Sequence, residues 1–270
     1  MNNPHNLKDL RRVMERLRDP ATGCPWDIKQ DFKSIVPSTL EECYELAHAI
    51  EQEDYPHVAE ELGDVLFQVI FYSQLGSEEG LFTLDSVIDT LVSKLIRRHP
   101  HVFANAEIEG LVDEKVSVDD VKQTWESIKE AERKEKSLTG VLADVPVALP
   151  ALPRAQKLQK RAARVGFDWS DPLEVLDKLE EEVAELRAAF SAGDETAVVD
   201  ELGDVLFTSV NMARQLDRDA ESVLRQASGK FERRFMHMER TAATREEHFA
   251  DLSQGEMEEL WHLAKSSETD

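Results

Sequence analysis

The sequence predicts an all-α protein made of two tandem copies of one helical-bundle domain. Three observations predict it. Glu-Leu-Gly-Asp-Val-Leu-Phe stands at 61–67 and again at 201–207. Apolar residues recur at spacings of three and four through long stretches of helix formers. Glycine and proline punctuate those stretches, and strand signals are weak.

The repeat runs further than one motif. Glu41-Glu42-Cys43-Tyr44-Glu45-Leu46 precedes the first copy, and Glu181-Glu182-Val183-Ala184-Glu185-Leu186 precedes the second at the same offset. Downstream, with a slightly smaller offset, Lys94, Arg97 and Arg98 match Lys230, Arg233 and Arg234, and Trp125 matches Trp261. Trp26-Asp27 matches Trp169-Ser170-Asp171 more loosely. A period far above the roughly 20–50 residues of a solenoid indicates a duplicated domain. Gly140, Pro146, Pro150 and Pro153 mark 137–153 as a linker. The domains are therefore expected at 1–136 and 154–270.

The elements follow in order. Ser38-Thr39-Leu40-Glu41, just after Pro37, has the form of a capping box and opens a helix to about 53. Helices over about 58–75 and 84–98 follow, the last stopped by Pro100. The acidic, weakly patterned 104–118 reads as a loop. In the second copy Asp171-Pro172 starts a helix that ends near Gly193, and helices over about 196–216 and 220–240 follow. Short turns make neighbouring helices antiparallel.

The formal net charge of -23, from 55 acidic residues in 270, argues against a nucleic-acid partner, which needs a basic footprint. It does not exclude a nucleotide, because a bound cation inverts the local charge. Cys24 and Cys43 form no C-x-x-C pair, so zinc and a disulfide framework are not expected, in keeping with a reducing cytoplasm. Residues 1–10 hold no apolar signal region, and the apolar stretch 65–72 is too short to span a bilayer.

The acidic elements carry the chemistry. On a helix, Glu182 and Glu185 share a face, Glu181 and Glu185 are neighbours, and Glu201 and Asp204 share a face on the next helix. Two antiparallel helices then aim four or five carboxylates into one space. Like charges so placed require a cation or bound protons. Oxygen-only donors suit magnesium, with manganese as a substitute. Val183, Leu186, Leu202, Val205, Leu206 and Phe207 are expected to form the bundle core beside this face, and mid-helix Gly63 and Gly203 to permit close helix approach. Lys178 lies one turn before Glu182, and Lys230, Arg233 and Arg234 put cations on a later helix, where they serve phosphate binding or complement the helix dipole. Trp169 and Trp261 either stack on a base or pack a core. A single E-E-x-x-E is weak evidence, since most helical glutamates are merely solvated. Two copies, each tied to E-L-G-D, favour a metal site.

E-E-x-x-E followed by E-x-x-D is the signature of the all-α nucleoside triphosphate pyrophosphohydrolases. With Gly23-Cys24-Pro25-Trp26-Asp27, Arg97-Arg98-His99-Pro100-His101-Val102-Phe103 and Arg164-Val165-Gly166-Phe167-Asp168-Trp169, the chain closely resembles the two-domain bacterial proteins of the MazG family over nearly its whole length. The resemblance implies magnesium-dependent release of pyrophosphate from ribo- and deoxyribonucleoside triphosphates, a homodimer or higher assembly, a cytoplasmic housekeeping or stress role, and catalysis mostly in the second copy. It implies metal ligation by Glu182, Glu185, Glu201 and Asp204, and nucleotide contacts from Lys178, Lys230, Arg233, Arg234 and Trp261. Glu181 would support the ions or orient the attacking water, and Glu181 or Glu182 would take its proton. The first copy keeps Glu41, Glu42, Glu45, Glu61, Asp64, Lys94, Arg97, Arg98 and Trp125, so Glu42, Glu45, Glu61 and Asp64 remain metal candidates. Ser38 replaces Lys178 there, which predicts weak or absent hydrolysis and a structural or regulatory role. Three other readings fit the same residues: a non-catalytic nucleotide and magnesium sensor, a helical scaffold with a solvated acidic face, and a pyrophosphohydrolase of narrower specificity.

Overall fold

The computed structural model describes residues 4–110, 116–135 and 140–267. Every regular element among them is helical. Contacts divide the chain into two compact units, Met1–Glu132 and Arg133–Asp270.

In the first unit α1 (Leu7–Leu17), α2 (Val36–Glu51), α3 (Tyr55–Glu78), α4 (Leu84–Arg98) and most of α5 (Val118–Glu135) follow in order, the division falling three residues before the end of α5. The α2–α3 hairpin is its main helix pair, with α1 and α4 packed on α3. Asn6 and Asp9 form a reciprocal capping box on α1, and Thr83 and Ser86 form one on α4. The core joins Met14, Ile35, Ile70, Phe71, Leu75 and Leu84. Arg18 ties the end of α1 to α3: it pairs with Glu78 at 2.7 Å and lies 5.2 Å from the Phe71 ring centre.

The second unit repeats the plan with α6 (Ala151–Ala163), α7 (Pro172–Ala192), α8 (Glu195–Gln215), α9 (Ala220–Thr244) and α10 (Gln254–Ser267). The α7–α8 hairpin dominates, α6 packs on α8 and α9, and α10 packs on α9. Asp171 caps α7 with Pro172 in the first turn, and Gly193 closes it at φ 71°, a left-handed conformation that glycine adopts without strain. Asp194 and Asp219 accept backbone N–H bonds at the starts of α8 and α9. Met238, Ala242, Leu260 and Ala264 form a core between α9 and α10.

Several local expectations change. The Ser38 capping box is not made. A turn over 32–35, held by Asp31 accepting from the Lys33 and Ser34 N–H groups, leads directly into α2 at Val36. The Thr39 N–H then already has Ile35 O as its acceptor, and its hydroxyl joins Tyr72 at 3.0 Å. The linker expected over 137–153 ends earlier: α6 starts at Ala151, and Pro153 falls in the first turn, where no helical N–H is required. Residues 137–139 and, within the expected loop, 111–115 lie outside the described residues; the loop also contains a 3-10 turn, Ala104–Ala106.

Two further corrections bear on the site. Val183, Leu202, Leu206 and Phe207 are exposed, and Val175, Thr208 and Val210 are buried instead. Periodicity correctly groups the apolar residues by face but does not reveal which face the chain itself covers. No close helix approach occurs within the chain at Gly63 or Gly203, since beyond the local backbone of their own helix no described heavy atom lies within 4 Å of where a Cβ would stand.

Candidate functional site

Each helix hairpin gathers acids, and the two gather them differently. In the second unit Glu182 from α7 and Glu201 and Asp204 from α8 converge, with one carboxylate oxygen from each within 4.8 Å of the others. Glu185 lies outside this closest group yet touches Glu182. Burial first, then the Glu182 contact and the Glu201 charge, push its carboxyl above the usual range. In the first unit Glu42 and Glu45 from α2 meet Glu61 from α3 within the same 4.8 Å, and Asp64 lies outside. Its charge still reaches Glu42, whose carboxyl is raised by burial first and then by Asp64, Glu45, Glu61 and Glu41.

One acid in each group is buried, and in each case a residue one turn earlier on the same helix bonds to it. Glu182 is 6% exposed, and the Lys178 ammonium stands 3.0 Å from its Oε1 and 2.8 Å from Glu181 Oε1. Glu181 and then Glu182 raise the Lys178 pKa. Glu61 is 7% exposed, and His57 Nε2 lies 2.7 Å from its Oε1. Its other oxygen, Oε2, is buried with no hydrogen-bond partner. The position of Lys178 is Ser38 in the first copy, and that of His57 is Ala197 in the second. The bonded partner has thus moved from the first helix of the hairpin to the second.

These residues fit a hard divalent cation. Every converging atom is a carboxylate oxygen, the donor type magnesium and manganese take. The orphaned Glu61 oxygen is a buried acceptor that such an ion would satisfy.

The basic residues gather around tryptophans. Arg234 lies over the Trp261 ring at 5.6 Å, and Phe231 packs on the same ring at 5.5 Å. Lys230 and Arg233 are exposed on α9. Of the four basic residues expected at phosphate, Lys178 bonds directly to Glu181 and Glu182. In the first unit Trp125 packs 5.0 Å from His99, and Arg97 and Arg98 both bond Glu132 of α5, at 2.6 and 2.5 Å. Trp169 is 36% exposed beside Asp168, which pairs with Arg214.

His57 and Glu132 escape a reading by motif. His57 is detectable as the i−4 neighbour of Glu61, and Glu132 as the glutamate seven residues after Trp125, a spacing that Trp261 and Glu268 repeat.

Fold and site together define a class: a duplicated all-α protein with a carboxylate centre on the helix hairpin of each copy. The sequence pattern of the MazG nucleotide pyrophosphohydrolase domain matches residues 30–103 and again 170–238, and the chain belongs to this enzyme family. It is 45% identical, over 98% of its length and 99% of the relative's, to the nucleoside triphosphate pyrophosphohydrolase of Escherichia coli K12. It is 41% identical, over 97% and 96%, to the nucleoside triphosphate pyrophosphohydrolase/pyrophosphatase MazG of Thermotoga maritima. An uncharacterized Bacillus subtilis protein, YabN, matches 98% of the chain with 52% of its own length, at 44% identity.

Proposed function

We propose that the chain hydrolyses ribo- and deoxyribonucleoside triphosphates to the monophosphate and pyrophosphate with magnesium, mainly through the second copy. The observation that carries this reading is the convergence of Glu182, Glu201 and Asp204 beside Lys178, in a chain whose full-length relatives bear the name of that activity.

Glu182, Glu201 and Asp204 would hold the magnesium, with Glu185 against Glu182. Bound there, it would offset the charge of the carboxylates and the triphosphate and make water a better nucleophile at neutral pH. Glu181, exposed at the rim, or Glu182 receives the proton of the attacking water. The water oxygen bonds to the α-phosphorus, the bond to the bridging oxygen breaks, and its electron pair leaves with pyrophosphate. Lys178, Lys230, Arg233 and Arg234 stabilise the phosphate charge, and the Trp261 face receives the base.

The first copy has Ser38 in place of Lys178, and its arginines are already bonded to Glu132. Both observations support a structural or regulatory role there. A homodimer is supported by the apolar surface that each unit leaves open. Leu62, Leu66 and Val69 on α3, and Leu202, Leu206 and Phe207 on α8, are exposed apolar stripes for a second copy to cover. Two free cysteines support a reducing, cytoplasmic setting for nucleotide-pool housekeeping or a stress response. No helix among the described residues is long and apolar enough to cross a membrane.

The test is product analysis with each common nucleoside triphosphate, with and without magnesium. Monophosphate plus pyrophosphate, lost in Glu182→Gln, is the expected result. Diphosphate plus orthophosphate, or full activity in that variant, overturns the reading.

A further inference from the structure

We propose that the two copies take a divalent cation under different conditions: the Glu42, Glu45 and Glu61 group binds it without nucleotide, whereas in the second copy Lys178 holds the carboxylates until a triphosphate draws its ammonium away. This inference rests on the metal-dependent reading above and extends it to the order of binding.

The two buried acids, Glu61 and Glu182, are partnered differently. Glu61 gives one oxygen to His57, its other, Oε2, is buried without a hydrogen-bond partner, and Glu42 and Glu45 each bring a carboxylate oxygen within 4.8 Å of a Glu61 oxygen. A buried acceptor without a donor is costly, and a cation placed among the three carboxylates satisfies it while removing their repulsion. No buried oxygen of Glu182 is left in that state. Its carboxylate faces the Lys178 ammonium at 3.0 Å, and Lys178 is shared with Glu181 at 2.8 Å. A cation entering the second group competes with a tethered positive charge that is already in place; one entering the first group has no ammonium to displace, because Ser38 stands at that position. Phosphate oxygens offer Lys178 an alternative partner, so a triphosphate frees the carboxylates as it binds. The two copies thus differ in binding order although they carry the same acids.

The experiment is a titration of the full chain with Mn2+ alone, reading free manganese by electron paramagnetic resonance. One tight class per chain is expected without nucleotide. Glu61→Gln removes it, and Glu201→Gln leaves it. Where Glu61→Gln fails to fold, Glu45→Gln, at an exposed position, serves instead. Lys178→Ser, which copies the first unit, tightens the second class about tenfold, the factor that 1.4 kcal/mol represents. In the unmodified chain an α,β-methylene nucleoside triphosphate brings out the second class without hydrolysis. Loss of the tight class in Glu201→Gln but not in Glu61→Gln or Glu45→Gln overturns the proposal, as does an unchanged second class in Lys178→Ser or the absence of any tight class. Hydrolysis of an unmodified nucleoside triphosphate by the same protein preparations separates the two readings: the expected manganese partition without turnover refutes the proposed hydrolysis and leaves the binding order standing.

Discussion

Glu132 Oε2 accepts a hydrogen bond from Nη2 of Arg98 at 2.5 Å, joining α5 to the last residue of α4. Arg97 reaches the other oxygen at 2.6 Å. Arg98 foremost, then Arg97, holds the Glu132 carboxyl down at about 2, from an ordinary 4.5. A carboxyl depressed on folding adds stability that is complete above its unfolded value and is lost as pH falls toward the folded one. The thermal midpoint of Glu132→Gln should therefore lie below that of the unmodified chain at neutral pH, and the gap should close between pH 4.5 and about 2. Glu132 is 17% exposed and Arg97 58%, so with solvent screening the contribution is about 1–2 kcal/mol rather than the full shift. A gap that stays constant through the acid titration would assign the effect to packing alone.

Glu182→Gln and Glu201→Gln should each reduce kcat/KM by about 100-fold or more, equivalent to roughly 2.7 kcal/mol of transition-state stabilisation. The loss in Glu182→Gln should exceed that in Glu42→Gln at least tenfold if the second copy carries turnover. Steady-state assays on the three variants decide this, and equal losses would mean that both copies work.

The glycines give predictions of opposite sign. A methyl group at Gly76 would meet the Phe82 ring at 2.5 Å. Gly76→Ala should cost about 1–3 kcal/mol despite the better helix propensity of alanine. Gly63 and Gly203 have open space instead. Gly63→Ala and Gly203→Ala should each stabilise the isolated chain by about 0.5–1 kcal/mol. Urea denaturation at low and high protein concentration tests this. A penalty that appears only at high concentration would place a second molecule's helix against these positions.

Magnesium at about 100 times its dissociation constant should raise unfolding free energy by roughly 2.7 kcal/mol through a native-only site. Chelation should reverse the gain, and a solvated acidic face would show no such gain.

Much of this architecture is legible in the sequence. The duplication, the all-α class, the bounds 84–98 of α4, and the Asp171 and Gly193 ends of α7 follow from repeats, periodicity and capping chemistry. The acids were findable because three-residue spacing sets them on one face. What resists reading is non-local. The Ser38 capping signal is overridden by the turn ahead of it. Leu202 and Leu206 share a face as their spacing requires, yet spacing does not say whether that face is covered by the same chain or another. The bond between Glu132 and Arg98 spans two helices, and no short motif encodes it. The change of partner from Lys178 to His57 emerges only when the two hairpins are compared in three dimensions.

That exchange has a consequence for how the protein is made. In both copies the buried acid meets its partner four residues away on one helix, Lys178 with Glu182 and His57 with Glu61. Such a contact forms as soon as the helix winds, with no long loop to close. Each buried acid can therefore take its partner on a nascent chain, before its hairpin closes and before any ion arrives.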